Sequence, residues 1–422
     1  MPMPDLPPHK ARRFLFLQGP ISPFFPEVAQ GLVALGHGVH RINLCLGDKL
    51  FWRNPAGAPP ALDYRDGPQR WPDFIAGFLD AQGITDILLL GEQRQYHRAA
   101  IQAAAVRGIP VIVTDFGYFR PDWITLERDG LGGGSHFPRD PGAIRWLARD
   151  LPPADLEPRL ADSFPRQAAW DVAYNLATRL RWPFPHYRDY LIHHPLLTYA
   201  GIGLRLLRRR AERHEGRQAV ERLRDCPFWL FAMQLEADFS IRAYSPFEDM
   251  TQPLEETLRS FARSAPADGH LLVKIHPLDP CLRHWPRRIG AMAAKAGIAG
   301  RVHVVRHGPL EAMIAASRGM VTVNSTAGMN AVMGRRPVKA LGQAVWDVPG
   351  LAHQGPLDRF WTDPPALDEA LRDDFLTALQ AETQLRGVFY APEGRRVAVA
   401  ETVRRLHEGR VGVRAVPMRE AA

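Results

Sequence analysis

Cysteine is scarce in this sequence. The 422-residue chain has only three, Cys45, Cys226 and Cys281, and no two of them form a CxxC pair. A disulfide framework needs paired cysteines in an oxidising compartment, and a structural zinc site needs closely spaced thiolate or imidazole ligands. The scarcity therefore excludes both kinds of scaffold and fits a protein of a reducing compartment.

Long apolar runs are absent as well. No stretch approaches the roughly 20 apolar residues that cross a bilayer as a helix. The opening residues, MPMPDLPPHK, hold prolines and an acid where a signal peptide has its apolar core. We therefore expect the protein to stay in the cytoplasm.

Several motifs that indicate a cofactor or a metal are also missing. The chain contains no GxGxxG, no P-loop, no DxD and no HExxH. It thus lacks a dinucleotide-binding fingerprint and a recognisable set of metal ligands. We expect neither a cofactor nor a bound metal.

Basic residues outnumber acidic ones. Lysine and arginine total 53 against 45 aspartates and glutamates, which gives a net charge of +8 and a pI near 9.7. Such a balance favours anionic partners, namely a nucleotide, a lipid head group or a nucleic acid, and composition does not choose among them. The length of 422 residues, with 46% hydrophobic and 23% charged residues, is typical of a globular protein with two domains.

Short apolar strands alternate with amphipathic helices in both halves of the chain. RFLFLQG, TDILLLG and PVIVTDFG read as strands in the first half, and PFWLFAMQ, HLLVKIHP and RVHVVRH in the second. Strands separated by helices of about 10–15 residues predict βαβ units and parallel sheets. The sequence therefore predicts an α/β fold with two facing Rossmann-like lobes and a cleft between them.

Changes in composition divide the chain into four parts. We predict an N-terminal Rossmann-like lobe over 1–162, a helical, basic connector over 163–224, a C-terminal Rossmann-like lobe over 225–395, and a C-terminal helix and tail over 396–422. The connector contains the strongly basic stretch RLLRRRAERHEGRQAVERLR. This stretch is either a solvated helix that joins the lobes or a helix that lies on anionic lipid.

Polar residues follow two strands of the second half. KIHPLD and VNSTAG place there Lys274, His276, Pro277, Asn324, Ser325 and Thr326. Ligands of open α/β sheets bind beyond the carboxyl ends of strands, where cations, hydroxyls and backbone N–H groups suit a phosphate. A plain capping turn and a core histidine are the simpler alternatives. Taken together, the two strand ends indicate a site that stabilises a leaving phosphate without a metal.

Charged residues follow strands of the first half. Asp115 comes directly after the apolar run PVIVT, and an acid that faces a cleft is a candidate base or nucleophile. The alternative is that it caps a turn. Glu92 and Arg94 follow the preceding strand, and Arg120 comes soon after Asp115. An arginine here can bind a substrate carboxylate through two hydrogen bonds.

Several of these stretches carry a likeness to a known family. They are FLFLQGPISPFF, GEQRQYHRAA, DFGYFRPDWITLE, SPFEDM, KIHPLDP and VTVNSTAGMNAVMGRRPVKALG. Together they resemble the capsular polysaccharide biosynthesis and export proteins of the KpsS/LipB type. The likeness extends from Arg13 to Trp361 and so covers most of the chain.

The resemblance implies a GT-B-like fold and a retaining β-Kdo transferase that uses CMP-β-Kdo as its donor. The implied acceptor is lysophosphatidylglycerol of the inner leaflet, whose glycerol receives the first Kdo of a capsule linker. The N-terminal lobe would then carry the catalytic acid on the acceptor side, and the C-terminal lobe would bind the CMP-sugar. These roles imply a peripheral position at the inner face of the inner membrane, with room for other capsule assembly proteins as partners and no nucleic acid.

The resemblance also assigns residues. An HP motif falls on His276–Pro277 and would contact CMP, and a Ser/Thr motif falls on Ser325–Thr326 and would hold the phosphate. An acidic-acidic-Gly motif falls on 115–117, where Phe116 replaces the second acid. Asp115 is then the catalytic residue, as a nucleophile or as a base, and Glu92 is its partner carboxylate.

Two other functions stay open at this stage. A non-catalytic capsule assembly or export component could keep a degenerate nucleotide site, and Phe116 is the feature that favours it. A GT-B-like sugar-nucleotide epimerase would have the same two lobes but would prefer UDP and need no lipid.

Overall fold

The computed structural model describes residues 10–189, 195–236, 238–280, 282–364 and 366–417, without the side chains of 195–197, 200 and 204–209. The strands are β1 (Arg13–Phe16), β2 (Gly38–Asn43), β3 (Leu62–Asp63), β4 (Asp86–Leu90), β5 (Val111–Phe116), β6 (Trp123–Arg128), β7 (Phe228–Ala232), β8 (His270–Lys274), β9 (Val302–Val305), β10 (Gly319–Thr322), β11 (Val338–Ala340) and β12 (Gln384–Arg386).

The α-helices connect these strands and cover the sheets. They are α1 (Phe24–Ala34), α2 (Leu46–Phe51), α3 (Trp71–Gln82), α4 (Gln95–Val106), α5 (Pro141–Ala148), α6 (Phe164–Arg179), α7 (Pro195–Arg222), α8 (Phe239–Tyr244), α9 (Thr251–Ser264), α10 (Trp285–Lys295), α11 (Leu310–Ala316), α12 (Ala327–Met333), α13 (Leu357–Phe360), α14 (Glu369–Thr383) and α15 (Pro392–His407).

The strands form two sheets. The first has the order β12-β6-β5-β4-β1-β2-β3, and it is parallel except that β6 runs antiparallel to both of its neighbours. The second has the order β11-β10-β7-β8-β9 and is parallel throughout. The predicted α/β fold with two Rossmann-like lobes, a GT-B-like arrangement, is confirmed.

The strands read as apolar runs because helices cover both faces of each sheet. In β1, Phe14, Leu15 and Phe16 are all fully buried. Leu15 packs into one core cluster while Phe14 and Phe16 pack into the cluster on the opposite face, as the alternation of strand side chains requires.

The last elements of the chain belong to the first lobe. In the pairing of β12 with β6, Gln384 lies opposite Thr125. The following helix α15 packs on α1, where Arg395 forms an ion pair with Glu27 at 2.9 Å. The chain therefore returns to the first lobe at Gln384, within the range 225–395 that the sequence assigned to the second lobe. A strand of three residues is too short to give a periodic signal.

The predicted connector contains α6 and α7. The C-terminal half of α7 packs on the second lobe, where Ala219 and Leu223 are buried and Arg306 lies 3.8 Å from Glu212. The side chains of 204–209, part of the basic stretch, lie outside the described residues. Within the described part of the chain, no helix is both long enough and apolar enough to cross a membrane.

Gly328, in the first turn of α12, allows a tryptophan to support the turn before that helix. A Cβ atom at this position would lie 2.1 Å from Cζ2 of Trp346, which is 1% exposed. The indole N–H of Trp346 donates a hydrogen bond to the carbonyl oxygen of Ser325 at 3.0 Å. The ring can therefore hold the Ser325 turn only because residue 328 has no side chain.

We predict that Gly328→Ala lowers the free energy of unfolding by about 1–3 kcal/mol, the usual cost of overpacking a rigid core. Urea unfolding measures the change. Gly290→Ala in α10 is the matched control, because nothing lies within 4 Å of the added Cβ atom. The control should be neutral or stabilising by up to about 1 kcal/mol. Equal unfolding midpoints for the two variants would contradict the proposed role of Trp346.

Candidate functional site

A cavity of about 510 Å³ lies between the carboxyl ends of the two sheets. Glu92 follows β4 in the first lobe, and Gln234, His276 and Asn324 follow β7, β8 and β10 in the second. The loops converge because parallel strands of one sheet all end at the same edge. We call this cavity the interlobe cleft.

Most of the residues predicted from the sequence line this cleft. They are Glu92, Arg94, Asp115, Arg120, His276, Asn324, Ser325 and Thr326. Lys274 and Pro277 are not part of the lining. Lys274 ends β8 and is buried, whereas Pro277 is exposed.

Asp115 lies near the end of β5, where its Oδ1 accepts a hydrogen bond from the backbone N–H of Phe116 at 2.7 Å. Protein atoms surround the carboxyl group, and this burial raises the pKa of Asp115. The Phe116 hydrogen bond and the charges of Arg120 and Arg94 lower the same pKa. The net direction is a raised pKa for Asp115, and two arginines lie near its carboxyl group.

Glu92 is buried and contacts the opposite lobe. The hydroxyl of Tyr244, the last residue of α8, donates a hydrogen bond to its Oε1, and Gln93 Nε2 donates to that hydroxyl at 2.9 Å. Burial raises the pKa of Glu92, the Tyr244 hydrogen bond lowers it, and the nearby charge of Asp115 raises it further. Two acids thus share one wall of the cleft, and the charge of Asp115 disfavours ionisation of Glu92.

A glycine-rich loop completes this wall. Gly133 and Gly134 lie against Tyr244, and a Cβ atom at either position would lie within 2.5 Å of its side chain. Tyr118 anchors the loop, because its hydroxyl accepts a hydrogen bond from the Gly132 N–H at 2.6 Å and donates one to Glu127 at 2.5 Å. Burial raises the pKa of Glu127 to about 7.

Phe116 occupies the position where the resembled motif has a second acid. Its ring lies 4.7 Å from the guanidinium of Arg120, and it packs edge-on against Phe389 at 5.4 Å. An aromatic face attracts a cation. The substitution therefore exchanges a negative charge for a surface that holds Arg120 beside Asp115.

The second-lobe wall contains a connected polar network. Asn324 Oδ1 accepts hydrogen bonds from Gln234 Nε2 at 2.8 Å and from the Ser240 hydroxyl at 3.0 Å. Its amide nitrogen donates to the Ser240 carbonyl oxygen at 2.8 Å, and its backbone N–H donates to Gln234 Oε1 at 3.0 Å. Asn324 is thus oriented by its neighbours and fixes the strand end that precedes Ser325 and Thr326.

His276 and Ser325 are oriented by local backbone hydrogen bonds. His276 Nδ1 accepts a hydrogen bond from the N–H of Leu278 at 3.1 Å, which leaves the proton of the neutral ring on Nε2. The Ser325 hydroxyl oxygen accepts from the N–H of Ala327 at 3.1 Å. That acceptor role leaves the hydroxyl hydrogen able to turn towards an anion in the cleft.

The sequence interpretation missed several residues of the cleft, and one nearby histidine, His97, lies outside the cleft lining. Tyr118, Gln234, Ser240 and Tyr244 line the cleft but were not predicted. The run GLGGG was the one sequence signal related to Tyr244, since consecutive glycines often mark a place where another group packs closely on the backbone. His97, which also follows β4, is fully buried with its Nδ1 2.7 Å from the Gly91 carbonyl oxygen, and burial lowers its pKa to about 3.

The described residues contain no group of three or more His, Cys, Asp or Glu side chains that could hold a metal ion. The groups that face the cleft are carboxylates, arginines, one imidazole, hydroxyls and amides. Such a set can bind an anion on one wall and move a proton or form a covalent bond on the other.

Known proteins resemble this chain over most of its length. The chain is 30% identical over 384 residues to the capsule polysaccharide export protein KpsS of Escherichia coli, covering 90% of this chain and 97% of that protein. It is 29% identical over 395 residues to the capsule polysaccharide modification protein LipB of Neisseria meningitidis serogroup A, covering 90% and 92%. Among solved structures, it is similar to the β-Kdo 2,7 transferase of Thermosulfurimonas dismutans KpsC, with a TM-score of 0.44 and 12% identity over 93% of this chain and 99% of that one.

The sequence model of one family covers the second half of the first lobe and most of the second lobe. It is described as capsule polysaccharide biosynthesis protein, and its match extends over residues 85–390. Both walls of the interlobe cleft fall within that range. The chain therefore belongs to the capsule polysaccharide biosynthesis protein family.

Proposed function

We propose that this chain is a retaining β-Kdo glycosyltransferase that moves Kdo from CMP-β-Kdo to a lysophosphatidylglycerol-type acceptor, at the start of a capsular polysaccharide linker. The observation that carries the proposal is one cleft in which Asp115 and Glu92 face His276 and the Ser325–Thr326 turn. The motifs of the KpsS/LipB type fall on Asp115, His276 and the Ser325–Thr326 turn, and Glu92 is the partner carboxylate of Asp115. Membership of a capsule polysaccharide biosynthesis family agrees with this substrate class.

In this proposal the second-lobe wall binds the nucleotide of the donor. The imidazole of His276 donates from Nε2 to CMP, and the hydroxyls of Ser325 and Thr326 donate to the phosphate, whose charge grows as the sugar leaves. Asn324 holds the strand end in place. Lys274 and Pro277 lie outside the cleft lining, so we assign them to supporting His276 rather than to contact with the donor.

The first-lobe wall binds the sugar and admits the acceptor. Kdo carries a carboxylate beside its anomeric carbon, and Arg94 and Arg120 are the cations of this wall. A guanidinium binds a carboxylate through two parallel hydrogen bonds. The same cations favour the ionised form of Asp115, which either catalytic role requires.

Stereochemistry bears on the role of Asp115. A single in-line displacement inverts the anomeric centre, whereas two displacements retain it, as in retaining glycosidases. In the retaining route, an Asp115 oxygen attacks the anomeric carbon and CMP leaves. The acceptor hydroxyl then displaces Asp115, and its proton passes to Glu92. In the alternative route, Asp115 takes the proton of the acceptor hydroxyl while the acceptor oxygen attacks the anomeric carbon and CMP leaves. That single displacement inverts the anomeric centre.

An anionic lipid acceptor implies a peripheral position at the inner face of the inner membrane, where the basic stretch of α7 and other capsule assembly proteins are candidate contacts.

One observation favours a second function. Phe116 removes an acid from the resembled motif, as expected of a non-catalytic assembly component that keeps a nucleotide site. Turnover distinguishes this component from the transferase.

We predict that Asp115→Asn retains donor binding but lowers turnover by about 10²–10⁴-fold or more, since general acid–base help alone has that size. The assay incubates the enzyme with CMP-Kdo, generated in place, and a fluorescent lysophosphatidylglycerol, with mass spectrometry of the product. A trapped Kdo adduct on Asp115, seen by intact-protein mass spectrometry, would identify the nucleophile.

Asp347→Asn is the matched control, because burial also raises the pKa of Asp347 but this residue lies outside the cleft lining. The turnover of Asp347→Asn should equal that of the wild type.

Since burial raises the pKa of Asp115, the Asp115 carboxylate destabilises the fold above the ordinary carboxyl pKa of about 4. Asp115→Asn should therefore melt at a slightly higher temperature at pH 8, and near-normal turnover would remove Asp115 from the mechanism.

We predict that CMP raises the melting temperature and that His276→Ala weakens CMP binding roughly tenfold, the order expected for one lost hydrogen bond. At 100 times Kd, the nucleotide should add about 2.7 kcal/mol of apparent stability. His214→Ala, an exposed histidine on α7, is the control. An unchanged CMP affinity in a folded His276→Ala variant would disprove the assignment, and stabilisation by UDP instead of CMP would favour the epimerase.

We predict that Kdo transfer persists in excess EDTA, because His276 and the hydroxyls of Ser325 and Thr326 take the role that a metal has at other leaving phosphates. The measurement compares initial rates with and without chelator after extensive dialysis. Loss of turnover that magnesium or manganese restores would show that the phosphate needs a metal ion.

A further inference from the structure

Three large apolar side chains are exposed together at the end of α6 and in the turn that follows it. Trp182 is 93% exposed, Leu180 is 64% exposed and Leu176 is 50% exposed. Scattered apolar residues on a surface are ordinary, but a cluster of this kind marks a contact surface. We call residues 176–188 the Trp182 segment.

Two buried aromatic side chains anchor the Trp182 segment to the first lobe. Phe184 and Tyr187 are buried in the core of the first lobe, and the N–H of Phe184 donates a hydrogen bond to the Arg181 carbonyl oxygen at 2.9 Å. Pro183 and Pro185 flank Phe184 and fix the backbone φ angle on each side of it. Trp182 is therefore held outward by a preorganised turn, which reduces the entropy lost when a partner covers it.

The segment is also basic. Arg181, His186 and Arg188 are exposed, and Arg179 lies 3.4 Å from Asp189 just beyond the segment. The segment itself contains no aspartate or glutamate. A tryptophan beside several cations is the composition of a membrane interface, where the indole enters the head-group layer and the cations meet anionic lipid.

Contacts with α4 place the segment beside the interlobe cleft. The Tyr187 ring stacks on Tyr96 with centroids 5.7 Å apart and an angle of 14° between the planes. The N–H of Arg188 donates to the Tyr96 hydroxyl at 3.3 Å. Tyr96 lies in the first turn of α4, two residues after Arg94, which lines the cleft together with Gln93. The segment and the cleft therefore share the carboxyl edge of the first sheet.

We propose that the Trp182 segment is the face on which the protein rests on a bilayer that contains anionic phospholipid, with Trp182 and Leu180 inserted among the head groups. The inference rests on the proposed function in one respect, because a lipid acceptor must reach the cleft from the side that meets the bilayer. A second copy of the chain is a poorer occupant. A two-fold contact would bring Arg181 and Arg188 close to the same residues of the partner copy.

The test compares vesicle binding of the full chain and two variants. Trp182→Ser removes the exposed indole, and Val106→Ser is the matched control, since Val106 is 86% exposed at the opposite end of α4. Co-sedimentation uses phosphatidylcholine vesicles with and without phosphatidylglycerol, in the absence of donor and acceptor. Affinity for the phosphatidylglycerol vesicles should fall about tenfold in Trp182→Ser, the order expected for one large apolar side chain withdrawn from lipid. Val106→Ser should bind like the wild type.

Equal vesicle binding by Trp182→Ser and the wild type would overturn the proposal. A dimer that Trp182→Ser dissociates, with no vesicle binding by the wild type, would assign the face to a second copy instead. Transfer to a short-chain acceptor in solution tests the proposed activity separately. Trp182-dependent vesicle binding without transfer would disprove the activity alone, and transfer without such binding would disprove only the membrane face.

Discussion

The contact between Tyr244 and Glu92 is the interaction on which the geometry of the cleft depends. It joins a helix of the second lobe to a strand end of the first lobe, across 152 positions of sequence. The Tyr244 ring also packs on Gly133 and Gly134. One side chain of α8 therefore contacts both the glycine loop and the Glu92 carboxylate. Each sheet orients only its own loops, so this contact helps to fix the first-lobe wall against the second-lobe wall at the cleft.

The cleft contains two buried acids, Asp115 and Glu92, and two arginines whose charges act on Asp115. Burial raises the pKa values of both Asp115 and Glu92, and Arg94 and Arg120 offset that effect for Asp115. A further acid at position 116 would add a like charge next to Asp115 and would remove the aromatic face under Arg120. Phe116 is thus compatible with a working carboxylate, and the departure from the resembled motif has a local physical explanation.

The fold and most of the cleft could be predicted from the sequence. Strands with helices on both faces of their sheet are apolar runs, and ligands bind at the carboxyl ends of such strands. Lys274 was predicted in the cleft, but it ends its strand as a buried residue. Tyr244 and Gln234 were missed, since their partners lie 152 and 90 positions away and no local pattern records such contacts. The exposure of Trp182 was equally hidden, because a tryptophan is ordinarily taken as core.

The return of β12 and α15 to the first lobe has a consequence for how the chain is made. Arg12, one residue before β1, donates a hydrogen bond to the carbonyl oxygen of Leu406, 394 positions later. As the ribosome releases the chain, β6 is therefore the open edge of an unfinished sheet until the whole second lobe has emerged. Unpaired strand edges favour aggregation. The interval of synthesis between β6 and β12 is consequently the time during which this strand edge is open to wrong pairing.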